Sequence, residues 1–335
     1  MPVPLVSVVI SVYNAEQYIR EALDSILSQS FAEYEIFLFD DGSSDGTRAI
    51  LNTYSDKRLM VHSSSCNLGL ATQVNKGLDL ARGKYIARMD GDDVAHPDRF
   101  LRQIKFLEEN PEIGICGTFA ERFNYDGVSH LWKFPTAHEH IQASLLFRGS
   151  FCNPSTMMRR EVVEMHSLRY DSDFPPCEDY HMWYRLLKVT RGANLTDVLL
   201  RYRLSPTQFT QAKADVKRAN LKKLRRVMLR DLDLPTDEDS VTFHEAVVGD
   251  DWPNDSKWFK RAVSWMESIA LKNKVSGLYS DHALAAALSQ HLRFRCQVSS
   301  IGREALSSYK SATFTRQFPI PAAVQARIWG KALVW

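Results

Sequence analysis

Residues 6–12 form a short, mainly apolar, β-branched run that stops at Tyr13-Asn14, and residues 15–29 then place Tyr18, Ala22, Ile26 and Gln29 at helical spacing. A buried strand followed by an amphipathic helix is the expectation. The alternation repeats, with strands over 36–39, 59–61 and 85–89 and helices over 44–54, 70–81 and 97–109. Four β-α units in succession predict a parallel sheet with helices on both faces. In an open sheet of this kind ligands bind beyond the carboxyl ends of the strands. Those ends are polar here: Tyr13-Asn14, Asp40-Asp41-Gly42-Ser43, Asn67-Leu68-Gly69 and Asp90-Gly91-Asp92-Asp93.

Past Pro111 the pattern turns mixed. It predicts a strand over 113–123, a turn at Asp126-Gly127, a helix over 137–147 and a strand over 155–158. A loop over 171–176 leads into Cys177-Glu178-Asp179-Tyr180 and a helix to Val189, followed by an edge strand over 198–204. The α/β domain is therefore expected to span 1–207. Residues 208–335 read as mostly helical, with a basic stretch over 217–230, a loop over 235–255 and a long helix over 256–271. After Phe318-Pro319-Ile320-Pro321 the tail is apolar apart from Arg327 and Lys331. It suits either a docked helix or partner interface, or an anchor lying on a membrane surface.

Composition adds limits. A chain of 335 residues that is 44% hydrophobic and 24% charged has a large buried core and is not disordered. Its net charge of +2 is too small for a nucleic-acid footprint, although residues 1–210 carry −5 and the remainder +7. Five scattered cysteines show neither Cys-x-x-Cys nor zinc-ligand spacing and read as reduced thiols. The start lacks the basic lead of a signal peptide. No run reaches the roughly 18–20 apolar residues that cross a bilayer. A cytoplasmic protein is expected, soluble or peripheral on the inner face of the cytoplasmic membrane through its basic C-terminal region.

The rim residues narrow the chemistry. Asp90, Asp92 and Asp93 repel one another unless a cation or ligand hydrogen bonds neutralise them. Mn²⁺ or Mg²⁺ is the simplest partner, with a solvated acidic turn as the alternative. Asp40 and Asp41 offer acceptors for a nucleobase N–H and ribose hydroxyls, whereas Ser43 or Ser44 and Asp45 suit helix capping. Gly-x-Gly-x-x-Gly, P-loop and Gly-x-Ser-x-Gly patterns are all missing, which leaves phosphate charge to the metal. His96, His138, His140, His166 and His181 lack paired metal spacing and read as solvated or packed. Among the aromatics, Trp183 is the candidate for an acceptor contact.

Taken in order, VVISVYNAEQYIREALDSIL, FLFDDGSSDGT, NLGLATQVNKGLDLARGKYIARMDGDD and CEDYHMWYRLL resemble the family 2 glycosyltransferases of GT-A fold, over residues 5–205. The resemblance implies that Val12, Tyr13, Asn14, Asp40, Asp41 and Asn67 line the donor nucleoside. Asp90 and Asp92 resemble an Asp-x-Asp pair, with Asp92 the metal ligand and Asp90 and Gly91 nearer ribose and diphosphate. Asp93 then lies toward the sugar. Asn153-Pro154-Ser155 matches a stretch near sugar and acceptor, although a plain turn accounts for it too. Glu178-Asp179 resembles the acidic pair in which Asp179 is the general base; the alternative is favourable charge at a helix N-terminus. Where the family often has Tyr-Arg-x-His, this chain reads Tyr202-Arg203-Leu204-Ser205, which removes the histidine and leaves Arg203 as a diphosphate clamp.

The activity implied is inverting, Mn²⁺- or Mg²⁺-dependent transfer of one hexosyl or N-acetylhexosaminyl unit from a nucleoside-diphosphate sugar, UDP favoured. The acceptor implied is a glycan hydroxyl on a lipid-linked surface polysaccharide or lipopolysaccharide intermediate, and the helical C-terminal region offers a homodimer surface. Two other readings compete. A sugar-phosphate nucleotidyltransferase would carry a Gly-rich basic loop after strand one, and a non-catalytic binding protein of the same fold would have lost its acids; neither matches the residues present.

Overall fold

The computed structural model describes residues 3–124, 127–204, 214–249 and 252–331. Strands β1 (Val6–Val12), β2 (Tyr34–Asp40), β3 (Leu59–Ser63) and β4 (Tyr85–Asp90) lie parallel in the order β3-β2-β1-β4. The sheet continues through β8 (Met157–Arg159), β6 (Ile113–Phe123), β9 (Arg191–Arg203) and β5 (Val94–Ala95), and β7 (Ser129–Trp132) pairs with β6. The register sets Val12 against Asp40 and Ser11 against Asp90. Three of the predicted polar strand ends therefore come level at one rim.

The mainly apolar runs of β1 and β2 follow from burial on both faces. On one face Val6, Val8, Ile10 and Val12 join Ile19, Leu23 and Ile26 of α1 (Ile19–Leu27) in the main core. Each such buried side chain contributes about 1.5–3 kcal/mol. On the other face α3 (Leu70–Leu80) packs so closely that a Cβ on Gly77 would overlap Val9.

Several boundaries differ from the sequence expectation. Helix α1 starts at Ile19 because residues 16–18 form a turn, and α2 (Thr47–Leu51) is shorter than 44–54. Ser43 and Ser44 do not cap it: both bond to Asn14 instead. After α4 (Arg99–Glu109) and α5 (His138–Ser144), part of the predicted 155–158 strand is a 3-10 turn, Asn153–Ser155. Helices α6 (Arg160–Met165) and α7 (Glu178–Leu186) follow. The expected edge strand over 198–204 is an interior strand: β9 runs parallel to β6 from Arg191 and is flanked on its other side by β5. Asp126, Ser205 and the boundary at 207/208 lie outside the described residues.

The chain forms two compact units, Met1–Ile141 with Gly149–Asn220, and Gln142–Arg148 with Leu221–Trp335. Helix α8 (Ala214–Asp231) straddles the division, and the second unit adds α9 (Glu238–Val248), α10 (Ser256–Ser276), α11 (Asp281–Val298), α12 (Gly302–Ser311) and α13 (Ala322–Lys331). Helix α9 occupies much of the stretch expected to be a loop, started by the Asp237 carboxylate accepting from the Ser240 N–H at 3.0 Å. Helix α10 runs past Leu271 to Ser276 and ends at Gly277 in the left-handed region, φ +62°. Phe259, Met266, Leu284, Leu288 and Leu292 are fully buried within this unit. Among the described residues no helix is long and apolar enough to cross a membrane.

Candidate functional site

The β1 and β2 ends interlock. Asn14, at φ +50°, accepts from the Ser44 N–H at 2.8 Å, and its own N–H donates to Ser43 Oγ at 2.9 Å. Thr47 Oγ1 accepts from the Ala15 N–H, and Asp45 accepts from the Thr47 and Glu16 amides. Tyr13 stands exposed above this junction. Asp40 and Asp41 are both buried. Asp40 accepts from the Ser43 N–H at 3.0 Å and from Arg48 at 3.2 Å. Asp41 accepts from Leu68 N–H, Gly69 N–H and the Gln73 side chain, fixing the loop that carries exposed Asn67. Gly42, at φ +77°, lets this loop approach: a Cβ there would lie 2.6 Å from the Cys66 carbonyl carbon.

The acidic loop follows β4. Gly91 packs on Val12, and a Cβ at Gly91 would meet the Val12 side chain at 2.4 Å. Asp93 is buried with Oδ1 accepting from the Arg203 N–H at 2.8 Å, while Oδ2 has no hydrogen-bond partner among the described residues. Loss of water raises the proton affinity of Asp90, Asp92 and Asp93, and mutual repulsion adds to it at Asp92 and Asp93. Arg88 offsets part of this at Asp90 and Arg203 part of it at Asp92 and Asp93, and the negative charge that remains is suited to a hard cation. Among the described residues no group of three or more His, Cys, Asp or Glu side chains is gathered as a complete ligand set. The fit is to an ion that takes one or two carboxylates and completes its shell with phosphate oxygens and water.

The second acidic set heads α7. Glu178 is buried and its Oε2 has no partner among the described residues, while half-buried Asp179 accepts from the Tyr180 N–H at 2.6 Å. Burial first, and then the Asp179 charge, push Glu178 up to about 7; burial likewise pushes Asp179 up to about 6. Helix-dipole capping alone would lower such groups, so the site holds them poised near neutrality. Trp183, one turn on, is buried against Phe151 with ring centroids 5.5 Å apart, and its indole N–H has no partner among the described residues. Asn153 sits at the start of its 3-10 turn with Oδ1 similarly unmatched.

Arg203 is not open at the rim as a clamp would be. It is 8% exposed; its Nε donates to the Asp92 carbonyl at 2.7 Å, its Nη2 donates to Glu21, and its guanidinium lies over the Tyr18 and Phe123 rings. Arg88 is the residue that sequence reading passed over. It is fully buried in β4, donates to Val9 O and to Asp90 Oδ1, and its charge opposes the raised proton affinity of Glu178 and Asp179. A cation in the middle of the apolar run Tyr85–Met89 was the available signal, since a buried charge demands partners.

The sequence profile of Glycosyl transferase family 2 matches residues 7–166. An uncharacterized glycosyltransferase of Haemophilus influenzae is 35% identical over 234 residues, covering 67% of this chain and 72% of that one. The putative teichuronic acid biosynthesis glycosyltransferase TuaG of Bacillus subtilis is 42% identical over 215 residues, covering 60% and 79%. In three dimensions the chain is similar to residues 1–349 of S. aureus TarS in complex with UDP-GlcNAc, at TM-score 0.56 and 18% identity, over 93% of this chain and 91% of that one. The rim of acids beyond a parallel sheet and these likenesses agree: the chain belongs to glycosyl transferase family 2 and has the GT-A fold.

Proposed function

We propose that the protein transfers a single sugar, with inversion, from a nucleoside-diphosphate sugar to a hydroxyl of a surface-polysaccharide intermediate. The observation that carries this is the presence in one unit of two partly to fully buried acidic sets, Asp90-Asp92-Asp93 after β4 and Glu178-Asp179 at the head of α7. Tyr13, Asn14 and the loop fixed by Asp41 would receive the nucleoside, with Asp41 acting through the backbone it holds. Asp92 and Asp90 would hold Mn²⁺ or Mg²⁺, which supplies charge for the leaving diphosphate. Asp93, Asn153 and Trp183 would border the sugar and acceptor. Asp179 accepts the proton of the attacking hydroxyl; the new C–O bond forms at the anomeric carbon as the bond to diphosphate breaks on the opposite side, so one displacement inverts configuration. Glu178 is the buried carboxyl beside Asp179, and burial and then the Asp179 charge raise its proton affinity.

UDP is the favoured nucleotide because the TarS structure to which the fold is similar holds UDP-GlcNAc. The acceptor class follows the teichuronic acid assignment of TuaG. The basic C-terminal region, at +7 from residue 211 onward, suits an acceptor presented at an anionic lipid surface. Calorimetric binding of UDP, GDP, TDP and CDP, first with Mn²⁺ and then with EDTA, tests the donor reading on wild type and Asp92→Ala. Tight binding of UDP that needs Mn²⁺ and disappears in the variant is the expected result; binding indifferent to both would remove the metal from the proposal.

A further inference from the structure

One face of α1 bonds Arg203 and the segment that directly follows the acidic loop. Glu21 and Ser25 are one turn apart on that face, and Gln29 continues it just past the helix end. The Glu21 carboxylate accepts from Arg203. Ser25 Oγ accepts from the Ala95 N–H at 3.0 Å. Gln29 donates to the His96 carbonyl at 2.7 Å and accepts from the Phe100 N–H at 3.1 Å. Arg203 in turn holds the Asp92 carbonyl through Nε and the Asp93 carboxylate through its backbone N–H. Strand β5, directly after the acids, is paired to β9 through Val94 with Arg201 and Ala95 with Leu200. The same helix follows the Tyr13-Asn14 loop at its other end.

We infer that Glu21 and Arg203 are positioning residues: through them α1 sets the Asp92-Asp93 backbone relative to the nucleoside-side loop, so that metal ligand and nucleoside pocket keep a fixed separation. The inference deepens the proposed function and rests on its metal reading. Arg203 commits Nε to the Asp92 carbonyl and Nη2 to Glu21. Its burial needs a carboxylate partner, and half-exposed Glu21 supplies it from outside the site. Outer-sphere partners of this kind orient metal ligands, and losing one costs roughly 10–100-fold in metal affinity.

The test uses the full chain with Glu21→Ala, Arg203→Lys and the double variant. The readout is the ratio of UDP affinity with Mn²⁺ to that in EDTA, measured beside the melting temperature. Each single variant is expected to lower the ratio by about tenfold, and the double variant no further, because both remove one coupled contact. A residue that only supports the fold would lower the melting temperature and leave the ratio alone. Ratios within about twofold of wild type in both variants overturn the inference. If Arg203→Lys fails to fold, Glu21→Ala decides by itself. Asp92→Ala separates the two levels: no Mn²⁺-dependent binding in wild type sinks the metal reading and this inference together, whereas binding lost in Asp92→Ala but unchanged in Glu21→Ala sinks this inference alone.

Discussion

A carboxylate works as a base near neutral pH only where its surroundings raise its proton affinity, and burial does this to Asp179, pushed up to about 6. Because the base must be unprotonated, kcat/KM for sugar transfer is expected to drop about tenfold per pH unit below about 6, read as UDP release from a UDP-sugar panel across pH 5–8. Asp179→Asn is expected to lose transfer by at least about 100-fold while keeping Mn²⁺-dependent UDP binding; retained transfer would reassign the base. Glu178, pushed up to about 7, carries a stability consequence. Its folded-state proton affinity exceeds the unfolded value, so its contribution is favourable below about pH 4.5 and is lost as pH rises through about 7. Glu178→Gln should therefore gain on the order of 1–3 kcal/mol at pH 8 and nothing near pH 4. Urea unfolding at the two pH values checks it, and an equal gain at both would exclude the linkage.

At the scale of elements, the β-α repeat was legible because each strand buried on both faces writes a short apolar run and each covering helix a 3.6-residue pattern. The predicted 113–123 strand is β6. What failed was local: Ser43 and Ser44 looked like caps, yet Asn14, 30 residues earlier, takes the Ser44 amide. A cap depends on which amides a side chain can reach, and that is fixed by loop packing. Gly42 marks the same junction. Gly42→Ala needs both a left-handed residue and room against Cys66 that does not exist, so a loss of about 1–3 kcal/mol is expected by chemical denaturation, accompanied by weaker nucleotide binding. A neutral outcome would mean that the two loops can part without cost.

For the molecule as a whole, the second unit draws in a seven-residue excursion from the first half of the chain, Gln142–Arg148. Within that unit Leu145 and Leu146 are buried, and Phe147 stacks on His291 at 5.1 Å. A chain cut after Asn220 would strip these side chains of their cover, and fully burying each contributes about 1.5–3 kcal/mol. It is expected to aggregate, or to bind a hydrophobic dye strongly, in size-exclusion and fluorescence measurements. A monodisperse, dye-silent fragment would show that the excursion is dispensable. Sequence reading assigned 137–147 to a plain amphipathic helix, since an apolar stripe records that it is covered but not by what.

The sequence by itself determined the parallel half of the sheet, the rim where its acids collect and the order of the four motifs, because strand periodicity and strand-end polarity are local properties; the antiparallel pairings of β8, β5 and β7 were not in it. Only the tertiary structure decided what each acid and cation does there. Asp41 is spent on a loop 27–32 residues away, and Arg203 reaches back 182 residues to Glu21. Spacing along the chain reports which chemistry is present. A hydrogen bond is settled within about 3 Å by which strands the fold makes neighbours, and that information is not local.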